Sequence, residues 1–141
     1  MKDCQNKGRV HYLFTLDESF TYQSDIYGYR FEAPFLSVYE DGLIYIPAGY
    51  SWDGNSLKFC LAGRVVGTPD GRIDPRTGKP VTYYASLVHD ALYQYILAHK
   101  IPRKQIDDLY LKMLREAEFK SAGLYYRAVR LFGGIFIKLT R

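Results

Sequence analysis

Between Tyr83 and Lys120 the apolar residues recur at helical spacing in two runs separated by a proline. Tyr84, Val88, Ala91, Leu92 and Tyr95 mark one stripe, and Ile106, Leu109, Tyr110, Met113, Leu114 and Ala117 mark a second. This period predicts helices over roughly 83–98 and 102–120. Pro102 suits a first helical turn, and Gly123 is the expected stop after the second helix. The short link between them makes the two helices antiparallel neighbours.

The polar residues of this pair are the candidate site. The first helix carries His89-Asp90 with Tyr93 one turn on, and the second carries Asp107-Asp108 with Tyr110 close behind. Asp107 shares a face with Tyr110 and Leu114, at the border of the apolar stripe. Asp108 shares a face with Leu111, Lys112 and Arg115 and is expected in solvent. Counted back from the turn, Tyr93 is level with Asp107, while His89 lies a turn deeper, about 5 Å. A Tyr93–Asp107 bond is the easier expectation; a direct His89–Asp107 bond needs a long reach or a staggered packing.

Upstream the pattern changes. HYLFTL, SFTYQS, YGYRFEA and GLIYIP are short aromatic and β-branched runs between polar turns, which predicts strands over roughly 11–50. Asp41-Gly42 reads as a hairpin turn and Pro34 as a strand end or edge. Residues 51–81 are expected to be an irregular loop, with turns at Asp70-Gly71 and Thr77-Gly78. Within it, Asp53-Gly54-Asn55-Ser56 offers either oxygen ligands or an Asx-type turn. A third helix is predicted over roughly 124–138. Its stripe of Leu124, Ala128, Leu131 and Ile135 is expected to dock on the core, with Arg127, Arg130, Lys138 and Arg141 off it; a basic amphipathic helix lying on a membrane is the alternative. The pair Gly133-Gly134 lowers helix propensity, and close packing against another element is the expected compensation.

The whole is expected to be a single α+β domain over residues 1–141: an N-terminal antiparallel β-sheet followed by a C-terminal bundle of about three helices. Two cysteines far apart, Cys4 and Cys60, imply no disulfide framework. The start lacks the apolar segment of a signal peptide, and no apolar run approaches the ~20 residues of a membrane span. A reducing compartment is therefore expected. A net charge of +4 gives only a weak pull toward anionic surfaces, and no nucleic-acid motif is present.

The order Ile46-Pro47-Ala48-Gly49-Tyr50, Trp52 to Ser56, Leu87-Val88-His89-Asp90-Ala91-Leu92-Tyr93, then Arg103 and Asp107 to Tyr110 resembles domain-of-unknown-function family thirteen fifty-three. That family occurs in tailed phages, prophages and bacteria. The likeness spans roughly residues 43–133 and implies a phage setting, with a host cytoplasm or a phage virion as the location, but no reaction.

More locally, His89-Asp90-x-x-Tyr93 followed by Asp107-x-x-Tyr110 is similar to the helix pair of secreted and parvoviral phospholipases A2. The similarity implies His89 as general base, Asp107 as its orienting carboxylate and Tyr93 as support for Asp107. It implies Asp90 as a Ca2+ ligand, with Asp53 in the loop that would complete the site. An imidazole can accept a proton at neutral pH, and a carboxylate on its other nitrogen fixes the tautomer. A calcium ion would polarise an ester carbonyl. Leu92 and Ile106 stand where the secreted enzymes have cysteines.

The function expected is thus a phage-type protein with a phospholipase A2-like, calcium-assisted hydrolase site acting on a lipid or ester. The alternative is a non-catalytic virion or tail module whose partners are other phage proteins and whose His–Asp–Tyr network only specifies packing.

Overall fold

Leu36 and Val38 flank Ser37, and Ile44 and Ile46 flank Tyr45, so each run turns its apolar residues to one side. The computed structural model, which describes residues 14–52, 59–61, 64–66 and 73–139, forms a sheet from these runs. After β1 (Phe14–Thr15) come β2 (Phe20–Gln23), β3 (Phe31–Ala33), β4 (Leu36–Val38) and β5 (Leu43–Ile46). The last four make one antiparallel sheet in the order β2-β5-β4-β3. Leu36, Val38, Ile44 and Ile46 are all fully buried. Pro34 and Phe35 form the turn between β3 and β4, as the proline predicted.

The Asp41-Gly42 turn also forms. Gly42 has φ +90°, and a Cβ there would lie 2.4 Å from the Ser24 carbonyl oxygen. Only glycine fits both demands.

The described residues between 51 and 81 include short strand pairs where composition predicted an irregular loop. β6 (Ser51–Trp52) pairs with β1, β7 (Phe59–Leu61) with β8 (Arg64–Val66), and β9 (Ile73–Asp74) with β10 (Lys79–Pro80). Strands of two or three residues are too short to show alternation, so periodicity could not reveal them. The Thr77-Gly78 turn closes β9–β10, whereas Asp70-Gly71 lies outside the described residues.

The helices follow: α1 (Tyr83–Gln94), α2 (Ile96–His99), α3 (Arg103–Glu116) and α4 (Ala122–Leu139). The first predicted helix is thus two, broken at Tyr95. Lys100 then turns the chain in the left-handed conformation, φ 62°. α3 stops at Glu116, before the predicted limit, and the left-handed residue beyond it is Glu118, φ 58°. Gly123 is inside α4 and stops nothing.

α1 is buried on nearly every side. It rests on the strands through Phe20 stacked on Tyr84 at 4.7 Å and Trp52 edge-on to Tyr83 at 4.8 Å. The Trp52 indole N–H donates to Ser86 Oγ at 3.1 Å. On its other side lies α3, whose Ile106, Leu109, Tyr110 and Leu114 are buried as the stripe predicted.

α4 docks by a different face from the one expected. Ala122, Tyr125 and Val129 are buried, whereas Leu124 is 66% and Leu131 71% exposed. The helix has apolar residues on two sides, and the side bearing Ala122, Tyr125, Val129 and Gly133 packs inward. Among the described residues no helix is long and apolar enough to cross a membrane.

Candidate functional site

Three helices meet on one carboxylate. Asp107 sits on the inward face of α3 and is fully buried, while its neighbour Asp108 is exposed. Helical register had drawn that distinction. His89 Nε2–H donates to Asp107 Oδ1 at 2.9 Å, and the Tyr93 hydroxyl donates to the same oxygen at 2.5 Å. The direct His89 bond that looked difficult from register is therefore made together with the easier one. The Tyr93 and Tyr110 rings lie 4.1 and 4.7 Å from the His89 ring. His89 thus pairs with residues 107 and 110, and Tyr93 with 107, so α1 and α3 run antiparallel.

The other oxygen, Oδ2, faces two guanidinium groups. Arg130 Nη1 on α4 donates to it at 2.8 Å, and Arg103 Nη1 lies 3.6 Å away. These two were not among the expected site residues. A signal for them existed: a carboxylate on an apolar border must be compensated, and Arg103 stands one turn before Asp107. Arg130 could not be found this way, because its partner is 23 residues distant.

Gly133 is what lets α4 come so near: a Cβ there would lie 2.5 Å from the Tyr93 hydroxyl and 2.9 Å from Arg103 Nη1. Arg103 then donates to the carbonyls of Val129 and Arg130, at 3.2 and 3.3 Å.

The charges are held by this geometry. Burial, and then the negative Asp107, push the Tyr93 phenol far above its ordinary range. Tyr93 therefore stays a protonated donor: it holds Asp107 and is not a base. The hydrogen bond to Asp107 raises Arg130 above its ordinary value, against the effect of burial. At His89, the Nε2 bond to Asp107 fixes the orientation of the imidazole ring.

Asp90 faces away from this cluster. Its Oδ2 accepts the Tyr50 hydroxyl at 2.6 Å, and the same hydroxyl reaches Gln94 Oε1 at 3.2 Å. Tyr50 immediately precedes β6, so Asp90 is tied to the strand that leads toward Asp53 in sequence. Asp53 itself lies outside the described residues. Among the described residues no group of three or more His, Cys, Asp or Glu side chains could hold a metal ion. His99, the other described histidine, is a packing residue. Its Nε2–H donates to the Leu92 carbonyl at 2.7 Å, and its Nδ1 accepts the Ile101 N–H at 3.0 Å.

Compared with protein-family models, curated proteins and solved structures, the chain matches none.

Proposed function

We propose that the chain is an ester hydrolase whose general base is His89, held by Asp107 and Tyr93 in the manner of the phospholipase A2 helix pair. The observation that carries this reading is the convergence of His89 Nε2 and the Tyr93 hydroxyl on one Asp107 oxygen. On this reading Nδ1, the ring nitrogen away from Asp107, is the base. In the reaction, Nδ1 takes a proton from water as the water oxygen adds to an ester carbonyl. The tetrahedral intermediate expels the alkoxide, which receives that proton from His89, giving an acid and an alcohol. Tyr93 and Arg130 keep Asp107 aligned and do not touch the reacting atoms.

Calcium belongs to the same proposal. Asp90 and Asp53 would be its carboxylate ligands, and a bound hard cation would polarise the carbonyl. The setting proposed is a tailed phage or its host, on the family resemblance of residues 43–133.

A second reading is favoured by a specific observation: His89 is only 2% exposed, and Asp107 joins three helices. On that reading the network specifies packing, and the protein is a virion or tail module.

The test is hydrolysis of phospholipid and short-chain ester substrates by the full chain, with and without calcium. Turnover that His89→Gln abolishes, and that Tyr93→Phe lowers while the fold persists, supports the hydrolase. Absence of turnover, or turnover unchanged by His89→Gln, overturns it in favour of the packing network.

A further inference from the structure

We propose that the outward face of α4 is a docking surface for an anionic membrane, with the helix lying along the lipid headgroups. This inference is independent of the hydrolase reading.

Leu124, Leu131 and Phe132 are 66%, 71% and 47% exposed. Leu124 and Leu131 stand seven residues apart, two helical turns or roughly 10 Å along the axis. Half-buried Ala128 lies between them. Leu124, Ala128 and Leu131 form a continuous apolar stripe on the side of α4 opposite Ala122 and Val129, with Phe132 at its edge. The opposite side is already committed to α1 and α3 through Gly133, Val129 and Arg130. Neither α1 nor α3 therefore covers the stripe.

Charge says what that is. From Phe119 to Arg141 the sequence has five basic residues, Lys120, Arg127, Arg130, Lys138 and Arg141, and no acidic one. The whole chain carries only +4, so positive charge is concentrated on this segment. Arg130 is bound to Asp107, but Arg127 is exposed beside the stripe, one turn from both Leu124 and Leu131. An apolar stripe with the exposed Arg127 beside it matches a surface with acyl chains below and anionic headgroups above. A second copy matches poorly. In a two-fold interface the same patch meets itself, and this patch has no acidic residue to offer Arg127. α4 cannot cross the bilayer, so lying in the interface is the geometry available to it.

Cosedimentation of the full chain with phosphatidylcholine vesicles, with and without phosphatidylglycerol, tests this. Binding is expected only to the anionic vesicles, and should weaken as salt approaches about 1 M, where screening acts within roughly 3 Å. Arg127→Gln should weaken binding about fivefold, the worth of one basic residue near the surface. Leu124→Ser with Leu131→Ser should weaken it more than about tenfold through lost apolar burial. Because both leucines face solvent, the melting temperature should not change. No binding, equal binding to both vesicle types, or binding unaffected by the double serine variant overturns the proposal. Self-association that the double variant abolishes, without vesicle binding, overturns it in favour of a second copy.

Discussion

The Tyr93 hydroxyl occupies the space that a Cβ on Gly133 would need: the two would be 2.5 Å apart. That hydroxyl is committed to Asp107, and Arg103 Nη1 would lie 2.9 Å from the same Cβ. Gly134, one residue on, has only Arg103 near it, at 3.8 Å or more. The two glycines therefore have opposite roles, although their helix propensities are the same.

Gly133→Ala should destabilise the protein by about 1–3 kcal/mol, because an overpacked site must displace Tyr93 or α4. Gly134→Ala should be neutral or stabilising by up to about 1 kcal/mol, since alanine is the better helix former. Paired urea titrations check this, and equal midpoints for the two variants would show that α4 does not approach Tyr93 as closely as described.

Asp107→Asn removes the charge that balances Arg103 and Arg130 in a buried place. Breaking such a pair from one side costs about 3–5 kcal/mol. Asp108 accepts Lys104 at 2.8 Å and Tyr126 at 2.6 Å, but at the surface. Asp108→Ala should therefore cost about 0.5 kcal/mol or less. A chemical-denaturation series that ranks the two aspartates equally would contradict the assignment.

His99 supplies a pH dependence. Burial lowers its proton affinity in the folded state below the ordinary histidine value of 6.5, with the Leu92 carbonyl acting in the opposite sense. The unfolded chain then binds the proton more tightly, so stability falls as pH drops below 6.5. The contribution is fully present above that value. His99→Gln should flatten the stability-versus-pH curve in this acid range relative to wild type. An unchanged slope in the variant would show that other groups carry the effect.

Calcium binding at Asp90 and Asp53 would raise the melting temperature. Ligand at a hundredfold excess over Kd adds about 2.7 kcal/mol to the folded state. Asp90→Asn should abolish the rise, and His89→Gln should leave it in place. If millimolar calcium produced no shift in scanning calorimetry, the calcium part of the proposal would fall, and the His89–Asp107 base would have to act without it.

Local periodicity determined much of this protein without reference to the fold. Alternation around Ser37 and Tyr45 marks sheet residues, and the 3.6-residue repeat from Ile106 to Leu114 marks α3 and separates Asp107 from Asp108. Such patterns are legible because burial of one face is a property of a single element. Contacts between elements are not. β6 pairs with β1 across 36 residues, and Arg130 reaches Asp107 across 23. α4 shows the limit most clearly, because both its sides are apolar and hydropathy alone favoured the larger residues, Leu124 and Leu131. Only the tertiary structure decided for the side of Val129 and Gly133. Close helix approach rewards the missing Cβ, and Asp107, once buried, required the cation that this side of α4 carries.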